Sequence, residues 1–475
     1  MSPVTFVRRC SLVLRLLVAA GLGGVVDTAA APAGATRPNI VLINIDDLGY
    51  SSTSPFGAPK TQTPRLDRMA AEGRIFTSFY AAAPLCSPAR AALMTGSYPR
   101  RVGLGRGSGH SVLFPADTVA LHPSEITVAE VLRKAGYATG CFGKWHLGDQ
   151  PGFLPTDQGF DAYYGILYSN DMWPAHPGGW QFPLLPLMRG SAVIGEVRTM
   201  QDQAELCRLF TDEATAFIRA NRTRPFFLYL PHAFVHGPRA ARQEFTASDD
   251  VLKAQIREVD WSVGRLLDTL AEVGVAEKTL VLFTSDNGGA GPVNNVPLRG
   301  GKGSAFEGGQ RVPLIAHWPG VIPPGTVCDE LATQMDLMPT LADLTGGSVP
   351  TDRVLDGRNI RALLTGAPGA RSPHAAFFYH QENTLRAVRA GPWKLFVSGE
   401  LYDLKNDIGE VKDVAGAHPD LVADLRRRLS DFEAEIAANS RPAGRPVNPR
   451  TILPRPGAEG AEAHRPTLDL PKVPR

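Results

Sequence analysis

Runs of consecutive apolar residues alternate along the chain with longer stretches in which apolar residues recur every three or four positions. The apolar runs predict buried strands over residues 39–45, 138–142, 226–230, 279–284 and 312–317. The amphipathic stretches predict helices over residues 63–73, 127–136, 205–221, 248–273 and 336–345. Such alternation favours an α/β fold, in which helices sandwich a large mixed and mostly parallel sheet.

The pattern changes near residue 375, where short apolar segments follow one another in hairpin order. They predict strands over residues 376–379, 384–390, 394–397 and 401–402, followed by a helix over residues 420–438. We therefore expect a main domain over residues 36–370 and a small antiparallel α+β subdomain over residues 371–440. Residues 441–475 are rich in proline and arginine, and we expect a disordered or loosely docked tail there.

The first 34 residues have the pattern of a secretory signal peptide. Arg8 and Arg9 precede an apolar run from Leu16 to Val26, and small residues suited to cleavage follow. Because the run is too short to span a bilayer, we expect an exported protein, periplasmic or secreted, without a stable membrane anchor. A formal net charge of +2 over 475 residues gives no reason to expect a nucleic acid partner.

The five cysteines are too few and too widely spaced for a disulfide framework or a zinc motif. Cys10 lies in the predicted signal peptide, and Cys86 lies in the motif described next. Cys141, Cys207 and Cys328 remain, so that we expect one disulfide at most.

Cys86 opens a segment that reads Cys-Ser-Pro-Ala-Arg-Ala-Ala-Leu-Met-Thr-Gly. Ser87 and Pro88 are typical of an N-cap and a first helical position, and Gly96 is typical of a helix end. A cysteine directly before a helix N-terminus and close to Arg90 is expected to have a lowered pKa and a reactive thiolate. The plainer interpretation is a small buried cysteine at the start of a helix.

Two predicted strands end in acidic turns. Residues 39–45 lead into Asp46 and Asp47, and residues 279–284 lead, after a serine, into Asp286 and Asn287. The carboxyl ends of parallel strands form the ligand-binding edge of an open α/β sheet. Carboxylate and amide oxygens there would suit Ca²⁺ or Mg²⁺ better than zinc, although each pair alone is also typical of an ordinary turn.

Lysine and histidine residues occur in three further segments. Lys144 and His146 lie in Gly-Lys-Trp-His-Leu-Gly, directly after a predicted strand. His232 and His236 have the spacing of a zinc protease motif, but its glutamate is missing and prolines flank the segment. Lys302 lies in Arg-Gly-Gly-Lys-Gly, which lacks the spacing of a phosphate-binding loop.

The Cys-x-Pro-x-Arg pattern with Ala-Ala-Leu-Met-Thr-Gly resembles the signature of type I sulfatases, and the chain is similar to the arylsulfatase A branch from residue 38 to residue 413. The resemblance implies an alkaline phosphatase-like fold and a sulfate ester hydrolase. In that family a maturation enzyme oxidises the cysteine to formylglycine, whose hydrate carries two hydroxyls. One hydroxyl attacks sulfur and releases the alcohol; the second then loses its proton and expels sulfate, which restores the aldehyde.

The resemblance also implies roles for residues of this chain, including Ca²⁺ ligation, or Mg²⁺ ligation, at the acidic turns. The implied metal ligands are Asp46, Asp47, Cys86, Asp286 and Asn287. The implied catalytic residues are Cys86, Arg90, Lys144, His146, His236 and Lys302, and Lys144, His236 and Lys302 also bind the sulfate. Ser169 resembles a substrate contact of the family, or belongs to an Asx-type turn.

Several points stay open at the level of sequence. Ala89 and Ile408 replace residues common in the family, and His232 is expected to be structural or to support the site from behind it. The substrate is a small-molecule or glycan sulfate ester, and Trp173, His176 and Trp180 form a pocket wall or only pack within their loop. The alternatives are a phosphatase or phosphonate monoester hydrolase of the same superfamily, and a non-catalytic binder of sulfated glycans.

Overall fold

An eleven-stranded mixed sheet is the largest element of the computed structural model, which describes residues 37–58, 61–246 and 250–456. The predicted signal peptide lies outside the described residues. The strands are β1 (Asn39–Ile45), β2 (Arg74–Tyr80), β3 (Ala138–Lys144), β4 (Ala162–Ile166), β5 (Leu185–Arg189), β6 (Ala192–Val197), β7 (Phe226–Pro231), β8 (Thr279–Ser285), β9 (Arg311–His317), β10 (Thr326–Cys328) and β11 (Ala332–Thr333). Their order is β10-β2-β9-β8-β1-β7-β3-β4-β5-β6, and β11 pairs with β2.

The middle of this sheet is parallel, as the sequence predicts. Strands β8, β1, β7, β3 and β4 all run the same way, whereas β9 is antiparallel to β8 and the β5–β6 hairpin closes one edge. Every residue of β1 and β8 is buried, because helices cover both faces of the sheet. The carboxyl ends of the parallel strands therefore meet at one edge, where Ile45 pairs with Ser285.

The helices lie largely where the amphipathic stretches predict them. They are α1 (Pro64–Ala71), α2 (Cys86–Thr95), α3 (Val128–Lys134), α4 (Met200–Asn221), α5 (Gln243–Thr246), α6 (Val251–Glu272), α7 (Glu307–Gln310), α8 (Leu337–Thr345), α9 (Arg361–Leu364) and α10 (Pro419–Asn439). No helix in the described parts of the chain is long and apolar enough to cross a membrane.

A second sheet of four antiparallel strands follows, β12 (Phe377–Gln381), β13 (Thr384–Ala390), β14 (Trp393–Phe396) and β15 (Leu401–Asp403). Helix α10 packs on it through Leu425, Leu429 and Ile436. The same apolar cluster contains Tyr80 and Tyr98, so that the small sheet shares its core with the main part of the chain.

The segment after α10 differs from the expected tail. Arg441 forms an ion pair with buried Glu125, and the backbone of Gly444 pairs with that of Ala120. Residues 441–456 are therefore docked by defined contacts, whereas residues 457–475 lie outside the described residues. Of the two expected alternatives, disorder or loose docking, these contacts favour docking for residues 441–456, which composition alone does not indicate because it measures the lack of a core in the segment itself.

Candidate active site

Helix α2 begins at Cys86, two residues earlier than the expected start at Pro88. Leu85 has extended backbone angles and its carbonyl accepts the first helical hydrogen bond, from Ala89 N at 2.9 Å. Ser87 is thus not the N-cap; its Oγ instead accepts a hydrogen bond from Leu113 N at 3.1 Å. Gly96 ends the helix in the left-handed region, as predicted.

The thiol of Cys86 is buried against carboxylates. Sγ donates to Oδ1 of Asp46 at 3.3 Å and lies 4.0 Å from Oδ1 of Asp47. Burial, and then the negative charge of Asp46, raise the pKa of Cys86 well above its usual value. The expected acidification is therefore wrong for the unmodified thiol, because burial and Asp46 outweigh the nearby Lys144 and Lys302. All four described cysteines, Cys86, Cys141, Cys207 and Cys328, are unpaired.

The two acidic turns meet beside Cys86, as the strand order requires. Asp47 N donates to Asp286 Oδ1 at 3.2 Å, and Asn287 Nδ2 donates to Asp47 Oδ1 at 2.7 Å. Asp47 has a φ of 60°, which turns its side chain toward the cluster instead of continuing the strand. The side chains of Asp46, Asp286 and Asn287 are buried as well.

This cluster fits a hard divalent cation. Ligand atoms of Asp46, Asp47, Cys86 and His236 all lie within 4.8 Å of one another, and this is the one such group among the described residues. The buried Oδ1 of Asn287 has no hydrogen-bond partner in the described structure, although its Nδ2 is bonded. Because an unpaired buried carbonyl oxygen is costly, a cation beside the carboxylates would satisfy it.

Three permanent cations surround the carboxylates. Lys144 Nζ forms an ion pair with Asp46 and donates to Ser169 Oγ at 3.0 Å. Arg90 lies 2.9 Å from Asp286 and 3.5 Å from Asp46. Lys302 Nζ lies 2.8 Å from Asp47 Oδ1.

The pKa values of Asp46 and Asp286 shift in opposite directions, although the cations favour the charged form of both. Burial raises the pKa of Asp46, but Lys144, His236 and Arg90 outweigh burial and hold it well below its usual value. Burial and the neighbouring Asp46 raise the pKa of Asp286 to about 6.

His146 is held in a defined tautomer. It has a φ of 61°, and its Nε2 lies 2.9 Å from the carbonyl oxygen of Leu113, which can only accept a hydrogen bond. The proton is therefore on Nε2, and the buried Nδ1 is left as an acceptor with no partner in the described part of the chain. Burial and then Lys144 lower the pKa of His146 well below its usual value, so that it stays neutral.

His236 and His232 differ in their surroundings. His236 Nδ1 donates to Gly237 O at 2.7 Å, and its Nε2 lies 3.6 Å from Asp47 Oδ2 at the cluster. His232 is fully buried, and its Nε2 lies 3.0 Å from Ser262 Oγ. Burial lowers the pKa of His232 to about 3, and its contacts are those of a structural residue.

The sequence analysis did not single out Asp171 as a site residue. Its side chain lies beside Ser169 and 3.6 Å from His176 Nε2. Burial raises its pKa, but His236 and the Ser169 hydroxyl outweigh burial and lower it. Asp171 lies two residues after Ser169 in the segment Tyr-Ser-Asn-Asp, so that the same loop could have indicated both residues.

Comparisons with known proteins agree with this geometry. The family model described as Sulfatase matches residues 38–348, and that of the N-sulphoglucosamine sulphohydrolase C-terminal region matches residues 301–435. N-acetylgalactosamine-6-sulfatase of Canis lupus familiaris is 38% identical over 417 residues, covering 83% of this chain and 76% of the relative. Human arylsulfatase A is 37% identical over 468 residues, covering 86% of this chain and 90% of the relative.

A solved structure is similar over the same region. The crystal structure of Ps i-CgsB in complex with k-i-k-neocarrahexaose superposes with a TM-score of 0.76 and 30% identity, covering 86% of this chain and 95% of that one. The sheet order, the small antiparallel sheet and these matches agree with an alkaline phosphatase-like fold. The chain therefore belongs to the type I sulfatase family of sulfuric ester hydrolases.

Proposed function

We propose that this chain hydrolyses sulfate monoesters through a formylglycine made from Cys86, with a Ca²⁺ ion, or Mg²⁺ in its place, at the acidic cluster. The observation that carries the proposal is the contact of Cys86 with Asp46 inside a ring formed by Arg90, Lys144 and Lys302. A protein that only bound sulfated glycans would not need a buried side chain at position 86 that faces both carboxylates and cations.

Asp46, Asp47, Asp286 and Asn287, together with the modified residue 86, would hold the cation. When bound, it would polarise a sulfate oxygen and lower the pKa of the attacking hydroxyl. Without it, three carboxylates oppose three permanent cations in the pocket. A divalent ion would therefore leave the pocket positive and attractive to an anionic ester.

The chain's own residues would hold the nucleophile in line with sulfur. The free Nδ1 of His146 can accept a hydrogen bond from a hydroxyl on residue 86. Arg90 fixes the same region, because its Nη1 donates to Lys144 O at 2.6 Å while its other nitrogens bind Asp286. Such positioning replaces a bimolecular encounter by one between atoms already in place.

The leaving oxygen lies on the side of His236 and Lys302 in this proposal. His236 Nδ1 donates to Gly237 O, and its Nε2 faces the cluster 3.6 Å from Asp47 Oδ2, so that a proton carried on Nε2 would be donated to the departing alkoxide. Lys302 and Lys144 would share the non-bridging oxygens of the sulfate and offset the charge that develops on them.

The proposal extends to where the protein matures. We infer that residues 1–34 direct export, periplasmic or secreted, and that a formylglycine-generating maturation enzyme acts on Cys86. The cysteine is buried here, which supports its modification before the chain has finished folding.

Turnover of p-nitrophenyl sulfate and p-nitrophenyl phosphate by the processed protein tests this proposal. We expect the sulfate ester to be favoured, EDTA to abolish its turnover, and Ca²⁺ or Mg²⁺ to restore it. A Cys86→Ala variant that has the same melting temperature as the parent protein should be inactive. Faster turnover of the phosphate, or full activity of Cys86→Ala, would contradict the proposal and favour the phosphatase alternative or a different nucleophile.

A further inference from the structure

Lys302 lies in a glycine-rich segment, residues 299–305, that reads Arg-Gly-Gly-Lys-Gly-Ser-Ala. Gly300 and Gly303 have φ angles of 74° and 82°, which only glycine adopts readily. Glycine also loses more conformational freedom on folding than any other residue, so that contacts with neighbouring elements have to offset this cost. The position of Lys302 Nζ, 2.8 Å from Asp47 Oδ1, therefore depends on what holds the segment.

Gly303, directly after Lys302, connects the segment to two distant parts of the chain. Its N–H donates to Pro84 O at 2.8 Å, and Pro84 lies two residues before Cys86. Its carbonyl oxygen accepts a hydrogen bond from Gln381 Nε2, also at 2.8 Å. The backbone at Gly303 is thus bound both to the segment that leads into residue 86 and to the small antiparallel sheet.

Gln381 donates from a well-defined position. It is the last residue of β12 and pairs with Thr384 across the hairpin to β13. The carbonyl oxygen of the preceding residue, His380, accepts a hydrogen bond from Nε2 of Gln310 at 3.0 Å, and Gln310 ends α7. A donor carried on a strand that is bonded in this way is placed more precisely than one on a free loop.

Gln381 differs from the other side chain of the small sheet that binds this segment. Lys394 Nζ donates to Ala305 O at 2.9 Å, but the same ammonium group is paired with buried Glu307 and Glu410. Replacing Lys394 would therefore change the stability of the fold together with the segment. Gln381 is neutral and only partly buried, so that its replacement removes one hydrogen bond and leaves the ion pairs between the sheets intact.

On the basis of the proposed function, on which this inference rests, we propose that Gln381 is a positioning residue, which holds Lys302 at the sulfate pocket through the carbonyl of Gly303. Gln381 acts through Lys302 and does not contact the ester. A misplacement of about 1 Å in a group that stabilises the transition state can cost about 10²-fold in rate. Because other bonds still hold the segment, we expect Gln381→Met to lower kcat for p-nitrophenyl sulfate by less, about tenfold.

The experiment measures turnover by the processed parent, Gln381→Met, Lys302→Ala and the double variant. Methionine keeps the length of the side chain but cannot donate, whereas Gln381→Glu places a carboxylate against the carbonyl of Gly303 and should lose at least as much activity. If Gln381 acts through Lys302, Gln381→Met has no further effect once Lys302 is replaced, because the effects of coupled residues are not additive. Gln201→Met makes the same replacement at an exposed residue of α4 and should leave kcat unchanged.

Hydrogen exchange of the unmodified protein tests the same contact without turnover. The backbone amides of residues 299–305 should exchange faster in Gln381→Met than in the parent, because the segment opens more often when this hydrogen bond is missing. The amides of α10, which packs on the small sheet, should keep their exchange rates. A general loss of stability would instead speed the exchange of both.

The outcomes separate the two proposals. A processed parent that does not cleave p-nitrophenyl sulfate contradicts the proposed function, and the exchange rates then decide whether Gln381 holds the segment. With an active parent, an unchanged kcat for Gln381→Met overturns the positioning role alone, as does an equal loss with and without Lys302. Unchanged exchange of the segment also overturns it. A loss that appears in KM and varies with the alcohol would overturn it too, since Gln381 would then contact the substrate.

Discussion

The thiol of Cys86 lies at the first residue of α2 and faces Asp46, which directly follows β1 and is 40 residues earlier in the chain. A motif of consecutive residues predicts the helix and the modification pattern, but not this contact. The pKa of the thiol is raised by a neighbour that only the strand order brings near. Likewise, Ser87 does not cap α2, because its hydroxyl oxygen accepts a hydrogen bond from the backbone N–H of Leu113.

Replacement of His236 tests the proton donor assigned above. We expect His236→Ala to lower kcat about 10²–10⁴-fold on an alkyl or sugar sulfate, the usual range for general acid catalysis. The fall on p-nitrophenyl sulfate should be smaller, because that leaving group needs less protonation. His122→Ala is the control, since its ring bonds Ser124 away from the cluster. Equal falls on both substrates would instead assign His236 to sulfate binding.

Acid should destabilise the fold through His232. Its pKa in the folded state is lowered to about 3 by burial, below the unfolded value of about 6.5, so its stabilising contribution is present above pH 6.5 and is lost as the pH falls toward 3. From pH 7.5 to pH 5.0 this group alone lowers the free energy of unfolding by up to about 2 kcal/mol.

His232→Gln can still bond Ser262 but does not titrate. Urea unfolding at the two pH values should show a smaller acid-induced loss for this variant than for the parent, whereas His122→Gln should leave the loss unchanged. The same loss in parent and His232→Gln would show that the buried ring does not control this pH dependence.

At the scale of elements, strands with an unbroken apolar run could be predicted closely. The structure has β1 at Asn39–Ile45, as the pattern predicts, and β8 at Thr279–Ser285, one residue longer than predicted. Six strands were not predicted, because their apolar runs are short or interrupted by polar residues and they depend on pairing with a neighbour already in place: β2, β4, β5, β6, β10 and β11. The antiparallel direction of β9 also depends on its partners, and no local pattern encodes it.

The predicted capping box of α3 is confirmed, and removing it should measurably lower the free energy of unfolding. Thr127 Oγ1 accepts from Glu130 N at 3.1 Å and donates to Gln158 O at 2.7 Å, while Glu130 bonds the backbone of Thr127. We expect Thr127→Ala to lower the free energy of unfolding by about 1–2 kcal/mol, because two buried backbone groups lose a partner. The exposed Thr223→Ala should change it by less than about 0.5 kcal/mol. If Thr127→Ala lowers the free energy of unfolding by less than about 0.5 kcal/mol, the capping box does not stabilise the protein as expected.

At the scale of the whole molecule, buried charges join the two sheets. Lys394 of β14 lies 3.1 Å from Glu307 of α7 and 2.7 Å from Glu410, and all three side chains are fully buried. Tyr80 and Tyr379 donate to Glu307 from β2 and β12. The sequence alone indicates no role for Glu410. The structure gives that residue a role in holding the small sheet against the main one.

Lys394→Met should therefore destabilise the protein strongly. It removes the cation of buried Glu410 and leaves Glu307 paired with Arg311, and loss of one partner of a buried ion pair typically costs about 3–5 kcal/mol. Lys405→Met, an exposed change in the turn after β15, is the control. Urea unfolding of both variants measures the difference, and a loss below about 1 kcal/mol for Lys394→Met would show that the charges do not hold the sheets together.

The central claim is that residue 86 acts as a formylglycine nucleophile, and mass spectrometry of the tryptic peptide of residues 75–90 tests it most directly. The peptide contains one cysteine, Cys86. In protein produced with an active maturation enzyme we predict a mass about 18 Da below that of the unmodified peptide, since an aldehyde replaces the thiol. The fraction converted should scale with the rate on p-nitrophenyl sulfate. An unmodified cysteine in protein that hydrolyses this ester at full rate would contradict the account.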